Sequence, residues 1–262
     1  MNRELPRSTR LLSALFLLAG TLGACQPQEA PATQAQCDAD NGGLSLPAGF
    51  CAVVFADSVG RARHIDVADD GTVFLALTNA RGPNRSVIPG GFATLRDLDG
   101  DGKADEVNRF GENGGNEVLL DEGFLYFATD DAVLRYPFPS GSAAPTGPPD
   151  TIVSGLPNEA SHRAKSLALG PDRSLYVNIG SPSNACQADS RTPGVPGLDP
   201  CPELETRAGI WRFGADRLDQ RQEDGARFAT GLRNTVALTT RPGGALFGVI
   251  HGRDQLSSHW GE

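Results

Sequence analysis

Five short stretches carry side chains whose types and spacing could do chemistry. In DLDGDGKADE, Asp97, Asp99 and Asp101 stand at positions 1, 3 and 5 of a loop, the Lys103 carbonyl at 7 and Asp105 at 9. Calcium takes roughly six to eight hard oxygens, and glycines let a chain wrap tightly enough to supply them. A calcium loop is therefore expected, the alternative being an acidic hairpin turn without metal. Position 12 is Asn108, where an EF-hand carries a bidentate Glu, and the flanks FATLR and EVNRF read as strands. The metal is thus expected to serve the scaffold rather than a sensor that opens on binding. SHRAKS offers His162 as a proton base and Lys165 as an anion contact, Lys165 being one of two lysines against 21 arginines. GLRN offers Arg233, whose planar guanidinium can clamp a carboxylate in bidentate fashion, with Asn234 beside it. HGRD, from His251 to Asp254, and RARH, with Arg63 and His64, complete the set.

Taken singly, each of these is an ordinary polar loop. Their places in a repeat set them apart. IDVADDGTVFLAL (65–77), VLLDEGFLYFAT (118–129), LALGPDRSLYVNI (167–179) and VALTTRPGGALFGVI (236–250) each read as apolar strand, Gly- or Asp-bearing turn and second strand, the signature of a hairpin. Successive copies are spaced by about 50, 50 and 70 residues. The last spacing is lengthened by the insertion SPSNACQADSRTPGVPGLDPCPELETR. Further strands are expected at FATLRDL, EVNRF, AVLRYPF, TIVSGL, GIWRFGA and ARFATGL, giving four strands per unit, the pattern of a β-propeller blade. The polar stretches then fall at equivalent ends of the innermost strands, where loops converge on a central channel. The fold class expected is all-β, with about four blades over residues 45–262. Either a truncated larger propeller or a compact four-bladed ring would fit that number, and truncation is the expectation.

Composition agrees with short elements joined by turns: Gly 32 and Pro 19 against 6% aromatic residues, with a 39% hydrophobic share sufficient for a core. At the N-terminus, Arg3, Arg7 and Arg10 precede LLSALFLLAG and TLGAC, which reads as a secretory signal over residues 1–24. Leu22 to Cys25 resembles a bacterial lipobox, so Cys25 is expected to be lipidated, with plain cleavage as the alternative. Residues 25–44 then read as a polar tether, and the protein as a periplasm-facing lipoprotein held to the membrane by lipid alone. The net charge is −9 with the basic residues scattered, so a nucleic-acid partner is not expected. Four cysteines remain: Cys37, Cys51, Cys186 and Cys201. In an oxidising compartment they read most simply as the local pairs Cys37–Cys51 and Cys186–Cys201, although other pairings stay open. The chain carries no GxGxxG after a strand, no Walker loop, no GxSxG elbow and no HExxH.

The calcium loop DLDGDGKADE, HRAKSLALGPDRSLYVNIGS, GIWRF, ATGLRNTVAL and HGRDQL, in this order and at these distances, resemble the sorbosone dehydrogenase family. These are six-bladed propellers related to soluble quinoprotein glucose dehydrogenases and to pyrroloquinoline quinone (PQQ) pyranose dehydrogenases. The resemblance spans roughly residues 45–257 and implies an oxidoreductase using PQQ and calcium on a sugar or a sugar-derived alcohol or aldehyde. It implies that electrons pass on to a quinone or cytochrome. By position, His162 matches the general base, Lys165 a basic position near the cofactor, and Arg233 and Asn234 residues contacting PQQ. Arg63 matches a channel-facing arginine, and the Gly252 and Arg253 carbonyls match ligands of a second, catalytic calcium. The chain departs from the family in Arg163 and Ala164 after the histidine, in His251 before the GRD turn, and beyond Leu256. Two other readings compete: a non-catalytic, calcium-stabilised propeller binding a ligand or protein in the cell envelope, and a hydrolytic propeller with a channel calcium.

Overall fold

The computed structural model describes residues 36–158 and 161–256. The signal segment, Cys25 and most of the tether lie outside them. Sixteen strands account for nearly all the regular structure: β1 (Ala62–Val67), β2 (Val73–Leu77), β3 (Ala80–Arg81), β4 (Val87–Ile88), β5 (Gly91–Arg96), β6 (Glu106–Phe110), β7 (Gly115–Asp121), β8 (Phe124–Thr129), β9 (Val133–Pro137), β10 (Asp150–Val153), β11 (Leu167–Leu169), β12 (Ser174–Ile179), β13 (Gly209–Gly214), β14 (Ala226–Thr230), β15 (Thr235–Thr240) and β16 (Leu246–Ile250).

They form antiparallel meanders in the orders β1-β2-β5-β6, β7-β8-β9-β10 and β11-β12-β13-β14, followed by the two-stranded β15-β16 and a small β3-β4 hairpin. The first strands approach one another in sequence, β1 beside β7, β7 beside β11 and β11 beside β15, as the inner strands of consecutive propeller blades do. Each hairpin expected from the repeat is the first hairpin of a sheet. Among the described residues there are three full blades and the first half of a fourth, a little less than the four expected.

The burial pattern explains why the middle strands read as nearly continuous apolar runs. Blades stack face to face, so a middle strand is covered on both sides. FLYFAT of β8 and SLYVNI of β12 are buried almost throughout, whereas EVNRF of β6, at an outer edge, alternates. Between the first two blades, Phe92 packs edge-on to Tyr136 at 5.0 Å between centroids and lies near Phe110, Phe127 and Phe138. Between the second and third, Tyr126, Ile152, Leu175, Val177, Trp211 and Phe213 form another core. Full burial of each such side chain contributes about 1.5–3 kcal/mol.

The other face of the first blade is covered by chain outside the strands. Phe55, Ala56 and Val59 pack on Leu75, Leu77, Ala93 and Leu95. The Cys37–Cys51 disulfide closes the segment before them, with its Cα atoms 5.6 Å apart. The second disulfide is Cys186–Cys201, at 6.0 Å, within the insertion. Both pairs are the local ones expected.

Candidate active site

One end of the sheets gathers the segments that enter the inner strands. His162 lies on the loop leading to β11 and has a positive φ of 57°. Its Nδ1 is 2.6 Å from the Ser181 carbonyl. A carbonyl can only accept, so Nδ1 carries the hydrogen and the lone pair of the neutral ring sits on Nε2. Burial lowers the His162 pKa below its ordinary value and Arg233 adds to the lowering, against the Ser181 hydrogen bond and Asp254. The imidazole is therefore neutral at pH 7, the state a proton acceptor needs.

Two buried cations hold this loop, and each donates to main-chain carbonyls. Lys165 is fully buried, and its Nζ donates to Pro157 O at 2.8 Å and to Arg163 O. It was expected beside a cofactor; the structure instead commits its ammonium to supporting the His162 loop from beneath. Arg207, in the insertion, donates from Nε to Gly180 O at 2.9 Å and from Nη2 to Ser161 O at 3.3 Å, tying the end of β12 to the residue before His162. Gly180 is where loop and strand end meet. A Cβ there would lie 2.4 Å from His162 O and 2.5 Å from His162 Cβ.

Arg233, entering β15, is partly buried and reaches the HGRD turn. Nη1 donates to Gly252 O at 2.8 Å and Nη2 to Asp254 Oδ2 at 2.9 Å, while its own carbonyl accepts from Ser181 N. Arg191 reaches the same Asp254 oxygen at 2.7 Å, and Asn184 exchanges hydrogen bonds with the Asp254 main chain. The Arg191 hydrogen bond, with help from Arg233, holds the Asp254 carboxyl below its usual range. His162, Arg233, Gly252 and Asp254 are thus brought together. Arg233 Nε, however, is buried without a partner, as is Thr235 Oγ1.

The expected second calcium does not fit this arrangement. The Gly252 carbonyl accepts from a guanidinium, and the nearest carboxylate, Asp254, is bridged by two arginines. Arginines hold the Gly252 carbonyl and the Asp254 carboxylate, so a divalent ion at this turn would have to displace them.

Arg63 and Asn234 meet in a pocket of about 40 Å³ lined also by His64, Asn116, Ser166 and Thr235. His64 Nδ1 pairs there with the Glu117 carboxylate, whose pKa burial raises against the pull of His64. Glu117 was not singled out in the sequence. Its signal is a charged residue inside the apolar run of β7. The pocket shares Arg63, Asn116 and Ala164 with a wider polar cleft of about 380 Å³ at the starts of β1 and β7 and the ends of β2 and β8. At the other ends of the strands, a cavity of about 290 Å³ is lined by Asp66, Asp70, Asp121 and Glu122. These four carboxylates are occupied by the amides of Leu120 and Thr72 and by Arg173, as turn scaffolding, and a fifth, Asp69, also lines the cavity.

The calcium loop joins β5 to β6, away from His162. Asp97, Asp99 and Asp105 bring one carboxylate oxygen each within 4.8 Å of one another. Asp97 accepts from Gly100 N at 2.7 Å and Gly102 N at 2.8 Å, and the Gly102 amide leads in holding its pKa low. Gly100 and Gly102 have φ of 77° and 85°, which the tight wrap requires. Asp101, also expected as a ligand, lies outside the cluster and caps Lys103 N at 2.8 Å, while the Lys103 ammonium, whose carbonyl was the expected ligand, pairs with Asp38 at 3.3 Å. A hard cation suits the remaining three carboxylates.

The fold is similar to that of the PQQ domain of pyranose dehydrogenase from Coprinopsis cinerea in its holo form, at 16% identity and a TM-score of 0.59 over 76% of this chain and 46% of that one. It is also similar to a Trichoderma reesei carbohydrate-active enzyme of family AA12 in its calcium structure, at 17% identity and a TM-score of 0.57 over 76% of this chain and 48% of that one. The chain spans about half the length of these structures. No curated protein matches it in sequence. The family model described as TrAA12-like matches residues 44–261, nearly the whole of the part that folds into blades, and the chain belongs to that family.

Proposed function

We propose that this chain carries the proton-accepting half of a PQQ-dependent oxidoreductase acting on a sugar or a sugar-derived alcohol or aldehyde. The observation that carries the reading is the juxtaposition of a neutral imidazole, His162, with a partly buried guanidinium, Arg233, whose inaccessible Nε has no partner. The similarity to a PQQ domain and to a family AA12 enzyme supports the choice of quinone chemistry. PQQ, when bound, supplies the two-electron acceptor that amino-acid side chains lack.

The chain's own residues supply the rest. Ser181 O fixes the His162 tautomer, so that Nε2 can take the hydroxyl proton of a bound sugar as its carbon is oxidised. Arg233 Nε offers a hydrogen to an acceptor oxygen of the cofactor, with Asn234 as a second donor one residue on. Asp254 and Asn184 hold that wall in place, while Lys165 and Arg207 hold the base. Calcium at Asp97, Asp99 and Asp105 braces the first blade against the N-terminal segment, through Asp38 with Lys103 and through Ala104 N to Phe55 O at 2.7 Å. The reading extends to a lipid anchor at Cys25, an envelope location facing the periplasm, and a quinone or cytochrome as electron acceptor.

The test is titration of the folded chain with PQQ, followed by fluorescence quenching. Saturable binding near one equivalent is expected, weakened about tenfold or more in Arg233→Ala, the cost of one charge-assisted hydrogen bond. His162→Ala should keep PQQ and lose turnover. Absence of PQQ binding would favour a non-catalytic propeller, and undiminished turnover in His162→Ala would remove the base from the mechanism.

A further inference from the structure

The 380 Å³ cleft, lined in part by Arg163 and Ala164, the two residues that follow His162 in sequence, has an unusual charge for so acidic a protein. Three arginines, Arg61, Arg63 and Arg163, line it against a single carboxylate, Asp130, while the whole chain carries −9. Asp130 is already engaged: Arg163 Nε lies 2.9 Å from its Oδ2 and Asn116 Nδ2 lies 3.4 Å from its Oδ1. No carboxylate among the described residues pairs with Arg61 or Arg63. The Arg61 main chain is fixed where β2 ends, its carbonyl accepting from Thr78 N at 3.0 Å, and the residue is exposed. Across the opening, Asn79 uses its side-chain oxygen on Gly90 N and Gly114 N, both at 2.8 Å, so the amide hydrogens remain its donors toward a ligand. The cleft therefore has two uncompensated guanidinium groups, further hydrogen-bond donors, and room for a monosaccharide. A positively lined concavity concentrates anions, and guanidinium groups match the two oxygens of a carboxylate.

We propose that this cleft binds a carboxylate, and that the carboxylate belongs to the substrate: an acidic sugar of the uronic or aldonic acid class, held by Arg61 and Arg63. The sugar assignment rests on the reading of His162 as the base. PQQ carries carboxylates of its own, so the same chemistry has a second source. Arg63 meets Asn234 in the small adjoining pocket, whereas Arg61 lines the cleft only, so Arg61 is the residue that separates the two sources.

The experiment has two arms. In the first, calorimetry on the full chain without PQQ measures D-glucuronate against D-glucose in wild type and Arg61→Gln. Glucuronate should bind at least tenfold more tightly than glucose, the preference should shrink as salt rises from 20 to 500 mM, and Arg61→Gln should remove most of it. Equal affinity for both sugars, or a preference that survives Arg61→Gln, overturns the proposal. In the second, PQQ is titrated into the same two proteins. If Arg61→Gln loosens PQQ by the factor expected for glucuronate, the carboxylate is the quinone's and the sugar assignment falls. Should wild type bind glucuronate through Arg61 but no PQQ, the carboxylate site stands while the redox reading fails. Circular dichroism with an unchanged urea midpoint shows that Arg61→Gln is folded, and Arg61→Lys, which keeps the charge but loses the fork, should recover only part of the preference.

Discussion

Gly180→Ala should disable the base without touching it. The alanine Cβ would sit 2.4 Å from the His162 carbonyl oxygen and 2.5 Å from its Cβ, well inside the roughly 3.4 Å at which ordinary contact begins, so one side must retreat by about 1 Å. Neither side yields easily. Arg207 grips Gly180 O from within the core and Ser161 O on the loop, and Lys165 fixes the same loop at Pro157 and Arg163. The φ of Gly180 is not in the left-handed region, so the cost is one of space rather than backbone conformation. Overpacking of this kind destabilises by about 1–3 kcal/mol. A 1 Å displacement of a catalytic group can cost about 100-fold in turnover. Urea unfolding measures the first, and kcat with PQQ and a sugar or aldehyde the second. The imidazole ¹⁵N resonances of His162 report whether the Ser181 hydrogen bond survives. Gly147→Ala is the control, since its Cβ would meet only Pro137 Cγ at 3.4 Å. Wild-type turnover and unshifted His162 resonances in folded Gly180→Ala would refute the claim that this contact positions the base.

The two ends of the calcium loop should separate in mutation. Asp99→Ala is expected to abolish the rise in Tm produced by calcium and, losing only the bond from Asp101 N, to lower Tm in chelator less than Asp97→Ala, which loses the caps on both Gly100 and Gly102; equal behaviour of the two in chelator would refute the distinction. The lowered pKa of His162 has a definite sign in stability. The unfolded chain takes up the proton first as pH falls through about 6.5, so the His162 contribution is flat at higher pH and declines on acidification toward the folded value. Urea unfolding of wild type and His162→Ala at pH 8, 6 and 5 reads it, and a difference that moves in wild type's favour on acidification would contradict the burial argument. Replacing both Cys186 and Cys201 by Ser should cost about 3 kcal/mol for a loop of separation 15. It should also loosen Arg191 and Asn184 from Asp254, visible as faster amide exchange at residue 254.

Much of the architecture was legible because it is local. Hairpins announce themselves through alternation and turn residues, and the four copies fell on β1–β2, β7–β8, β11–β12 and β15–β16. Cysteine pairing was legible for the same reason, since each bridge spans a short loop. What misled was chemistry inferred from residue type without burial. Lys165 stood out because lysine is rare, yet its ammonium lies under a loop whose carbonyls it satisfies. The loop's path is set by contacts with Gly180 and Arg207, distant in sequence. Asp101 has the spacing of a ligand, but in this turn its carboxylate reaches Lys103 N instead. The Gly252 carbonyl was assigned to a metal by position, and the arginine that takes it comes from the strand before.

These misses share a physical cause that bears on how the site works. Arginines and a lysine here are used mainly as cross-links between loops: Arg207 and Lys165 beneath His162, Arg233 and Arg191 at Asp254. A guanidinium or ammonium can serve several carbonyls or both oxygens of a carboxylate at once, and it does so where loops without regular structure must be fixed to within a fraction of an ångström. Once their hydrogens are committed, such cations have little left for a ligand. Of the three arginines that line the cleft, Arg163 is committed to Asp130, whereas Arg61 and Arg63 pair with no carboxylate among the described residues, and these two mark where a ligand's acceptors belong.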